Sequence, residues 1–265
     1  MDCSYASGEN IPEKQQITFG ASVGIFNKYI FRGYELSKNS MVIQPFVSAS
    51  FKGFEASVWG NMDTNQHKTQ SFDPGNSEGK GRYNETEYSL SYTFKTDKLS
   101  LTGGFTHYDF KYWDNTDEFF ISATYNILTK PTLTIYRDIN AYPGTYINLS
   151  FAHSFNIIKN TTLDLGASAG YYAGNGSCWN TYEYATGGYT GPKYNALHDG
   201  MVKAGLTIPL LKGLTVQPIV EYWFPLSDRA GKTMGYNTTG EKISYNPDGY
   251  VGYNIVTGIN IAYGF

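Results

Sequence analysis

The 265-residue chain has no run of 18 or more apolar residues, and its mean hydropathy is −0.37. A membrane-spanning α-helix is therefore not expected, because it needs about 20 consecutive, mostly apolar residues. The opening residues 1–4 (MDCS) do not have the basic and apolar segments of a signal peptide, so none is expected either. A low average hydropathy leaves a membrane β-barrel open, since its strands alternate apolar and polar side chains.

Charged residues are also scarce, at 16% of the chain against about 25% in an ordinary soluble domain. The net charge of −3 provides no broad attraction to a phosphate backbone, which argues against a nucleic-acid partner. Only two cysteines occur, Cys3 and Cys178, and they form no CxxC pair. Neither a metal site nor a cofactor is expected, and at most one disulfide can form.

Aromatic residues and glycine take the place of helix formers. The chain has 24 Tyr, 16 Phe and 29 Gly, whereas Leu and Ala are sparse, which favours strands over helices. Residues 251–265 alternate apolar and small or polar side chains for fifteen positions, or roughly 50 Å at about 3.3 Å per residue. A typical globular strand has about five or six residues, so this length indicates a strand that spans a membrane.

The same alternation, less regular in places, recurs along the chain and predicts about twelve strands. The predicted strands are 17–34, 40–51, 54–63, 82–94, 98–110, 117–127, 131–140, 144–155, 161–173, 198–210, 213–225 and 249–265. Tight turns alternate with longer polar connections such as 64–81, 174–197 and 226–248, as in bacterial barrels and unlike most β-sandwiches. The predicted fold is an all-β, antiparallel, up-and-down transmembrane barrel over residues 17–265, preceded by a periplasmic extension over residues 1–16.

The chain ends on Phe265, with Tyr263 and Ile261 before it at two-residue steps. This end resembles the last strand of Gram-negative outer-membrane barrels, whose final aromatic residue is recognised by the barrel assembly machinery. The resemblance implies that Phe265 is an assembly signal and that the protein lies in the cell outer membrane.

Two further segments carry a second resemblance. The stretch Asn27–Gly33 (NKYIFRG), Gln44–Pro45 and the stretch Gly53–Asn61 (GFEASVWGN) are similar to an uncharacterised proteobacterial outer-membrane family with a (S/D)Y(V/I)FRG signature. The family pattern has a Ser before the Asn, which is missing here between Gly60 and Asn61. The resemblance implies a barrel with a pore role, distantly like the twelve-stranded nucleoside-specific channels. It does not indicate a substrate.

Charged side chains on the polar faces of the strands point to the barrel interior, because a charge cannot face lipid cheaply. Arg32 is expected to pair with Glu55. Two interpretations stay open, a hydrated interior of mutually compensating charges and a constriction that prefers cations or neutral polar solutes. The pore-lining candidates are Arg32, Glu55, Trp59, Glu87, Asp138, Asp164, Lys203 and Glu221.

The long connection between residues 171 and 199 is rich in aromatic residues. Trp179, Tyr182 and Tyr184 are candidates for a ligand platform, because aromatic rings stack on sugars and bases and hold cations. The other interpretation is the ordinary aromatic girdle at the membrane interface.

Catalysis is not expected. His153 and Ser154 are adjacent and point to opposite faces of a strand, and no Asp-x-Asp occurs to accompany His107 and Asp109. The sequence therefore predicts a monomeric porin-like channel for passive diffusion of small polar solutes, in contact with outer-membrane lipid and lipopolysaccharide. The alternative is a closed barrel whose long loops act as a surface receptor, adhesin or docking scaffold. Whether Cys3 reaches Cys178 through the lumen is left open.

Overall fold

The computed structural model describes residues 16–37, 40–66, 79–182, 188–232, 246 and 249–264. Sixteen strands lie in these ranges, and twelve of them form one closed antiparallel barrel, which confirms the predicted fold class and strand number. The barrel strands are β1 (Thr18–Phe26), β4 (Val42–Phe51), β5 (Phe54–Asp63), β6 (Arg82–Lys95), β7 (Leu99–Phe110), β8 (Thr116–Tyr125), β9 (Thr132–Asp138), β10 (Gly144–Ile158), β11 (Thr161–Gly174), β14 (Asn195–Leu211), β15 (Leu214–Pro225) and β16 (Asn254–Gly264). The other four form two small hairpins, β2 (Ile30–Phe31) with β3 (Tyr34–Glu35), and β12 (Asn180–Tyr182) with β13 (Tyr189–Lys193).

The barrel closes because β1 pairs with β4 on one side and with β16 on the other. Phe26 lies opposite Val42 in one ladder and opposite Gly258 in the other. Closure gives every barrel strand two neighbours and leaves no open sheet edge, which is the condition for a β-structure to span a bilayer. Across the described residues, no helix has the length and apolar character needed to cross a membrane.

The two faces of the barrel wall differ in chemistry, as the alternation predicts. Outward side chains are apolar and exposed, for example Leu90 at 58% and Phe94 at 54% of their surface. Inward side chains are small or polar and bond across neighbouring strands. Hydroxyl pairs at 2.9–3.0 Å join Ser89 to Thr106, Thr93 to Thr102, Ser122 to Thr134 and Thr124 to Thr132. The wall is thus apolar outside and polar inside, the reverse of a soluble protein.

The connections at one end of the barrel have two to six residues, whereas those at the other end have five or more and include all the long ones. The turn end has the connections 52–53, 96–98, 126–131, 159–160 and 212–213, and the loop end has the connections 27–41, 64–81, 111–115, 139–143, 175–194 and 226–253. At the turn end, Lys52 and Gly53 have φ angles of 52° and 87°, as required by the mirror-image turns that suit two-residue hairpins. The predicted alternation of tight turns and longer connections is therefore present.

The main difference from the prediction is the first strand, which ends at Phe26 and not near residue 34. The Asn27 side chain ends the ladder. Its amide donates to the Ile255 carbonyl at 3.2 Å, and its oxygen accepts from the Thr257 amide at 2.9 Å. The chain then turns inward as a separate hairpin, whose own two-residue period had looked like a continuation of the strand. The last strand is shorter too, since it begins at Asn254 and not near residue 249.

Two predictions concern parts of the chain that the structure does not describe. The periplasmic extension over residues 1–16 lies almost wholly outside the described residues, as does the assembly signal at Phe265. Both stay predictions.

Candidate functional site

The described part of the connection between β1 and β4, residues 27–37 and 40–41, folds into the barrel and is called the plug loop here. Its hairpin β2–β3 turns at Arg32 and Gly33, whose φ angles are 48° and 82°. The base of the hairpin is held by the Leu36 amide, which donates to the Tyr29 carbonyl at 2.9 Å. Lys28 and Glu35 form a 2.7 Å ion pair across the hairpin. The loop is therefore a defined element with its own hydrogen bonds.

The tip of the plug loop extends into the lumen and reaches the barrel wall at β14, three strands away from β1. A Cβ atom on Gly33 would lie only 2.7 Å from Asp199 Cβ on β14 and 3.0 Å from a methyl group of Val251. Beside it, the Tyr34 ring packs 4.8 Å from the ring of His198, which is fully buried. The glycine lets the turn approach the wall this closely, because it has no side chain and tolerates a positive φ.

Arg32 is the centre of the plug. Its guanidinium donates two hydrogen bonds to the Glu118 carboxylate on β8, at 2.9 and 2.7 Å, and the side chains are 10% and 4% exposed. The same group lies 4.5–4.7 Å from the ring centres of Phe31, Tyr136 and Tyr146. A planar guanidinium suits both contacts at once, since its edge donates and its faces stack.

The charge of Arg32 is fixed by this arrangement. Burial by itself lowers the pKa of the guanidinium, but the Glu118 carboxylate more than offsets that effect and keeps the pKa above its ordinary value. The Tyr108 hydroxyl adds a hydrogen bond to the same carboxylate at 3.1 Å. The result is a neutral, hydrogen-bonded pair that ties the plug loop to the barrel wall.

The expected pairing of Arg32 with Glu55 is wrong. Glu55 begins β5 near the turn end, whereas the plug loop enters from the loop end, so the two side chains belong to opposite ends of the barrel. The Glu55 carboxylate instead accepts a 2.9 Å hydrogen bond from Ser50, its partner on β4.

The remaining charged candidates lie on the inner wall at different heights. Asp138 accepts from the Thr116 hydroxyl at 2.8 Å, Asp164 from Thr207 at 2.6 Å, and Glu221 from the Trp223 indole at 2.9 Å. Lys203 lies over Gly166, where a Cβ atom would come within 2.9 Å of its side chain. Glu87 and Lys203 both border the cavity below the plug. Trp59 packs against Tyr29 of the plug loop, with ring centres 5.5 Å apart. The structure places Trp59 against the plug loop, and Asp138, Glu87 and Lys203 at the two cavities that Arg32 borders. Glu55, Asp164 and Glu221 lie apart from them.

Sequence reasoning missed three acidic residues at the plug. Glu118 shares the inward two-residue phase of Ser122 and Thr124, so the signal was present in the sequence. Glu85 and Asp199 lie where the pairing registers shift, at β-bulges of β6 and β14. Both residues keep the inward phase of their strands, which Glu87 and Ser89 show for β6 and Met201 and Lys203 show for β14, so a period of two carried this signal as well.

The predicted aromatic platform is not supported at Trp179. This side chain is only 2% exposed and packs between Tyr172 and Tyr194, with ring centres at 4.4 and 6.0 Å. It strengthens the wall at the loop end and is not presented outward. The backbone of Tyr182 belongs to β12, and Tyr184 lies outside the described residues. Cys178 is exposed in the same connection, and Cys3 is not described, so their pairing stays untested.

Three cavities follow one another through the barrel. The loop-side cavity has a volume of about 250 Å³, the middle cavity about 530 Å³ and the turn-side cavity about 740 Å³. Phe31, Arg32 and Tyr108 border both the loop-side and the middle cavity, and Phe120 borders both the middle and the turn-side cavity. The plug loop and single wall residues therefore separate spaces that follow the barrel interior. Within the described ranges, no group of three or more His, Cys, Asp or Glu side chains is placed to hold a metal ion.

Comparison with known proteins identifies the architecture. No protein-family model and no curated protein sequence matches the chain. An outer-membrane channel from Pseudomonas putida F1 superposes with a TM-score of 0.53 at 8% identity over 100% of both chains. A NanC porin superposes with a TM-score of 0.51 at 10% identity over 92% of this chain and 98% of the porin. The chain has the fold of outer-membrane channels. At these identities the likeness concerns the fold alone.

Proposed function

We propose that the protein is an outer-membrane channel for passive diffusion of small polar solutes, and that the plug loop forms its constriction. The observation that carries the proposal is the row of three cavities inside one closed barrel, divided by the plug loop and a few wall side chains. An eight-stranded barrel is filled by its own side chains, whereas twelve strands leave room for such spaces. The channel and porin with the same fold support this function.

The interior charges determine whether the channel prefers cations or anions. Glu55 borders the turn-side cavity, Glu87 and Lys203 the middle cavity, and Asp138 the loop-side cavity. With Arg32 and Glu118 paired, the acidic excess lies at the loop-side cavity, which has Glu85 and Asp138, whereas the turn-side cavity has Lys52 and Lys95 beside Glu55. In total, four carboxylates (Glu55, Glu85, Glu87 and Asp138) and three lysines (Lys52, Lys95 and Lys203) of the described residues border the route. Rings of carboxylates favour cations and repel anions, so the channel passes cations and neutral polar solutes more readily than anions.

The outer surface determines where the channel works. Its exposed apolar belt, which includes Leu90, Phe119 and Ile121, suits the lipid and lipopolysaccharide of the outer membrane. A single chain encloses all three cavities, so a monomer is sufficient for conduction. Recognition of Phe265 by the barrel assembly machinery would deliver the chain to that membrane.

Single-channel recording of the refolded protein in a planar bilayer tests the proposal. We expect stable current steps and a reversal potential that shows cation preference in a salt gradient. Neutralising two inner-wall carboxylates, Glu55→Gln with Glu221→Gln, is expected to move the reversal potential toward zero. The matched control, Asp228→Asn, removes a charge whose side chain is 98% exposed, and it is expected to change nothing. A silent bilayer with confirmed insertion would contradict the channel and favour the receptor, adhesin or scaffold alternative.

A further inference from the structure

We propose that the loop-side cavity is a binding site for a small organic cation, such as a compound with a quaternary or primary ammonium group. The inference rests on the proposed channel function and deepens it, because it names a solute class that the outer mouth would capture. Its basis is the combination of aromatic walls, a small cavity volume and a buried carboxylate oxygen without a partner.

Aromatic rings form the walls of the loop-side cavity. On one side Trp113 lies between Phe110 and Tyr142, with ring centres at 5.6 and 6.4 Å. On the other side Tyr172 lines the cavity and is backed by Trp179 at 4.4 Å, which itself packs between Tyr172 and Tyr194. The negative face of an aromatic ring attracts a cation, and cages of such rings recognise quaternary ammonium groups. The walls therefore offer the surface that an alkylated cation prefers.

The size of the cavity limits the ligand. Its volume of about 250 Å³ is below the roughly 300–1,000 Å³ of pockets that hold drug-sized molecules. The plug loop closes the inner side of the cavity with Phe31, Arg32 and Tyr34. A compact cation fits this space, whereas an oligosaccharide or a peptide does not.

Three carboxylates border the cavity, and two of them are satisfied. Glu118 accepts from Arg32 and Tyr108, and Asp138 accepts from Thr116 and from the backbone amides of Asn140 and Tyr142. Glu85 differs, because its residue is only 2% exposed and its Oε2 atom has no hydrogen-bond partner, although its carboxyl group as a whole interacts with the side chains of Tyr29 and Glu87. A buried acceptor without a donor is costly, and native structures leave few of them.

Three of the side-chain donors around the cavity already donate to protein acceptors. The Tyr108 hydroxyl donates to Glu118, the Tyr34 hydroxyl to Asn246, and the Trp179 indole to the Tyr142 carbonyl. A ligand here meets an open acceptor and aromatic faces, with Arg32 already paired. An anion would meet repulsion, and a neutral polyol would find few donors for its oxygens. A cation that presents donors or a diffuse positive charge complements both the rings and Glu85.

Choline and its neutral isostere 3,3-dimethyl-1-butanol provide the test, since they differ in the charge of the bulky group. Isothermal titration of the refolded full chain in detergent measures binding, and block of the bilayer current by the same probes measures access. We expect choline to bind and to block the current from the loop side, and the isostere to bind at least tenfold more weakly. Glu85→Gln is expected to weaken choline binding at least tenfold, and Asp228→Asn, outside the cavity, to leave it unchanged.

A second variant protects the test against misfolding. If Glu85→Gln does not refold, Trp113→Leu removes one wall of the cage and is expected to weaken choline binding by a similar factor. Equal binding of choline and the isostere to the wild-type chain would overturn the inference, as would undetectable binding of both. Current steps without choline binding would support the proposed channel function and contradict the cation-binding site. Choline binding to a barrel that does not conduct would support the cation-binding site and contradict the proposed channel function.

Discussion

The guanidinium of Arg32 meets a carboxylate with its edge and three aromatic rings with its faces. A buried ion pair adds little net stability compared with an apolar replacement, but removing one partner leaves an uncompensated charge and costs about 3–5 kcal/mol. Removing Arg32 destabilises the docked state of the plug loop relative to the undocked state, because undocking would expose the unpaired Glu118 carboxylate to water. The occupancy of the docked state therefore depends on this one side chain.

Replacing Arg32 is expected to open the constriction. Arg32→Ala removes both contacts and should raise the single-channel conductance severalfold, whereas Arg32→Lys keeps the charge but loses the two-pronged contact and should have an intermediate effect. The measurement is single-channel conductance in a planar bilayer. In the double variant Arg32→Ala/Glu118→Ala, the second substitution should add little, because the interaction is already gone. Independent, additive effects of the two substitutions on conductance would contradict the role of the Arg32–Glu118 pair in holding the plug loop.

Among the elements, the barrel strands were readable from the sequence and the plug loop was not. Alternation locates the twelve barrel strands because each has one face toward the apolar surroundings and one toward a polar interior. In the plug loop both sides of the hairpin lie inside the barrel, so no side chain must face lipid. Its alternation around Ile30 and Arg32 looked like the end of β1, and the pairing partner Glu118 is 86 residues away. Such long-range contacts depend on tertiary structure, and a period of two along the chain does not show them.

The turn of the plug hairpin has no room for a side chain at Gly33. Gly33→Ala introduces a Cβ atom 2.7 Å from Asp199 Cβ, at a φ of +82°, and should undock the tip and raise the conductance. The control is Gly191→Ala, at a φ of +95° with no atom within 4 Å of the new Cβ. Both variants pay a backbone penalty of about 1–2 kcal/mol, but only the first is crowded. Equal single-channel conductance of Gly33→Ala and the wild type would contradict the contact.

A barrel that spans a membrane must turn its exposed apolar surface toward lipid. Leu90, 58% exposed in the central part of β6, points outward, whereas the neighbouring inward position Ser91 borders the turn-side cavity. Leu90→Lys should lower the free energy of unfolding from lipid bilayers by about 2–4 kcal/mol, the cost of a cation near the bilayer midplane. Ser91→Lys, which places the same charge in the water-filled interior, should lower the free energy of unfolding much less. Denaturant titration in phosphocholine vesicles measures both, and equal losses would argue against a membrane barrel.

The central claim is that this barrel conducts and that the plug loop sets its conductance. The most direct measurement compares single-channel conductance of the wild-type chain with that of a variant in which residues 29–36 are replaced by Asn-Gly. Because β1 and β4 already pair up to Phe26 and Val42, the shortened connection can still close the hairpin. The account predicts small, stable steps for the wild type and steps several times larger for the variant. Equal conductance, or no conductance from either chain once insertion is confirmed, would contradict it.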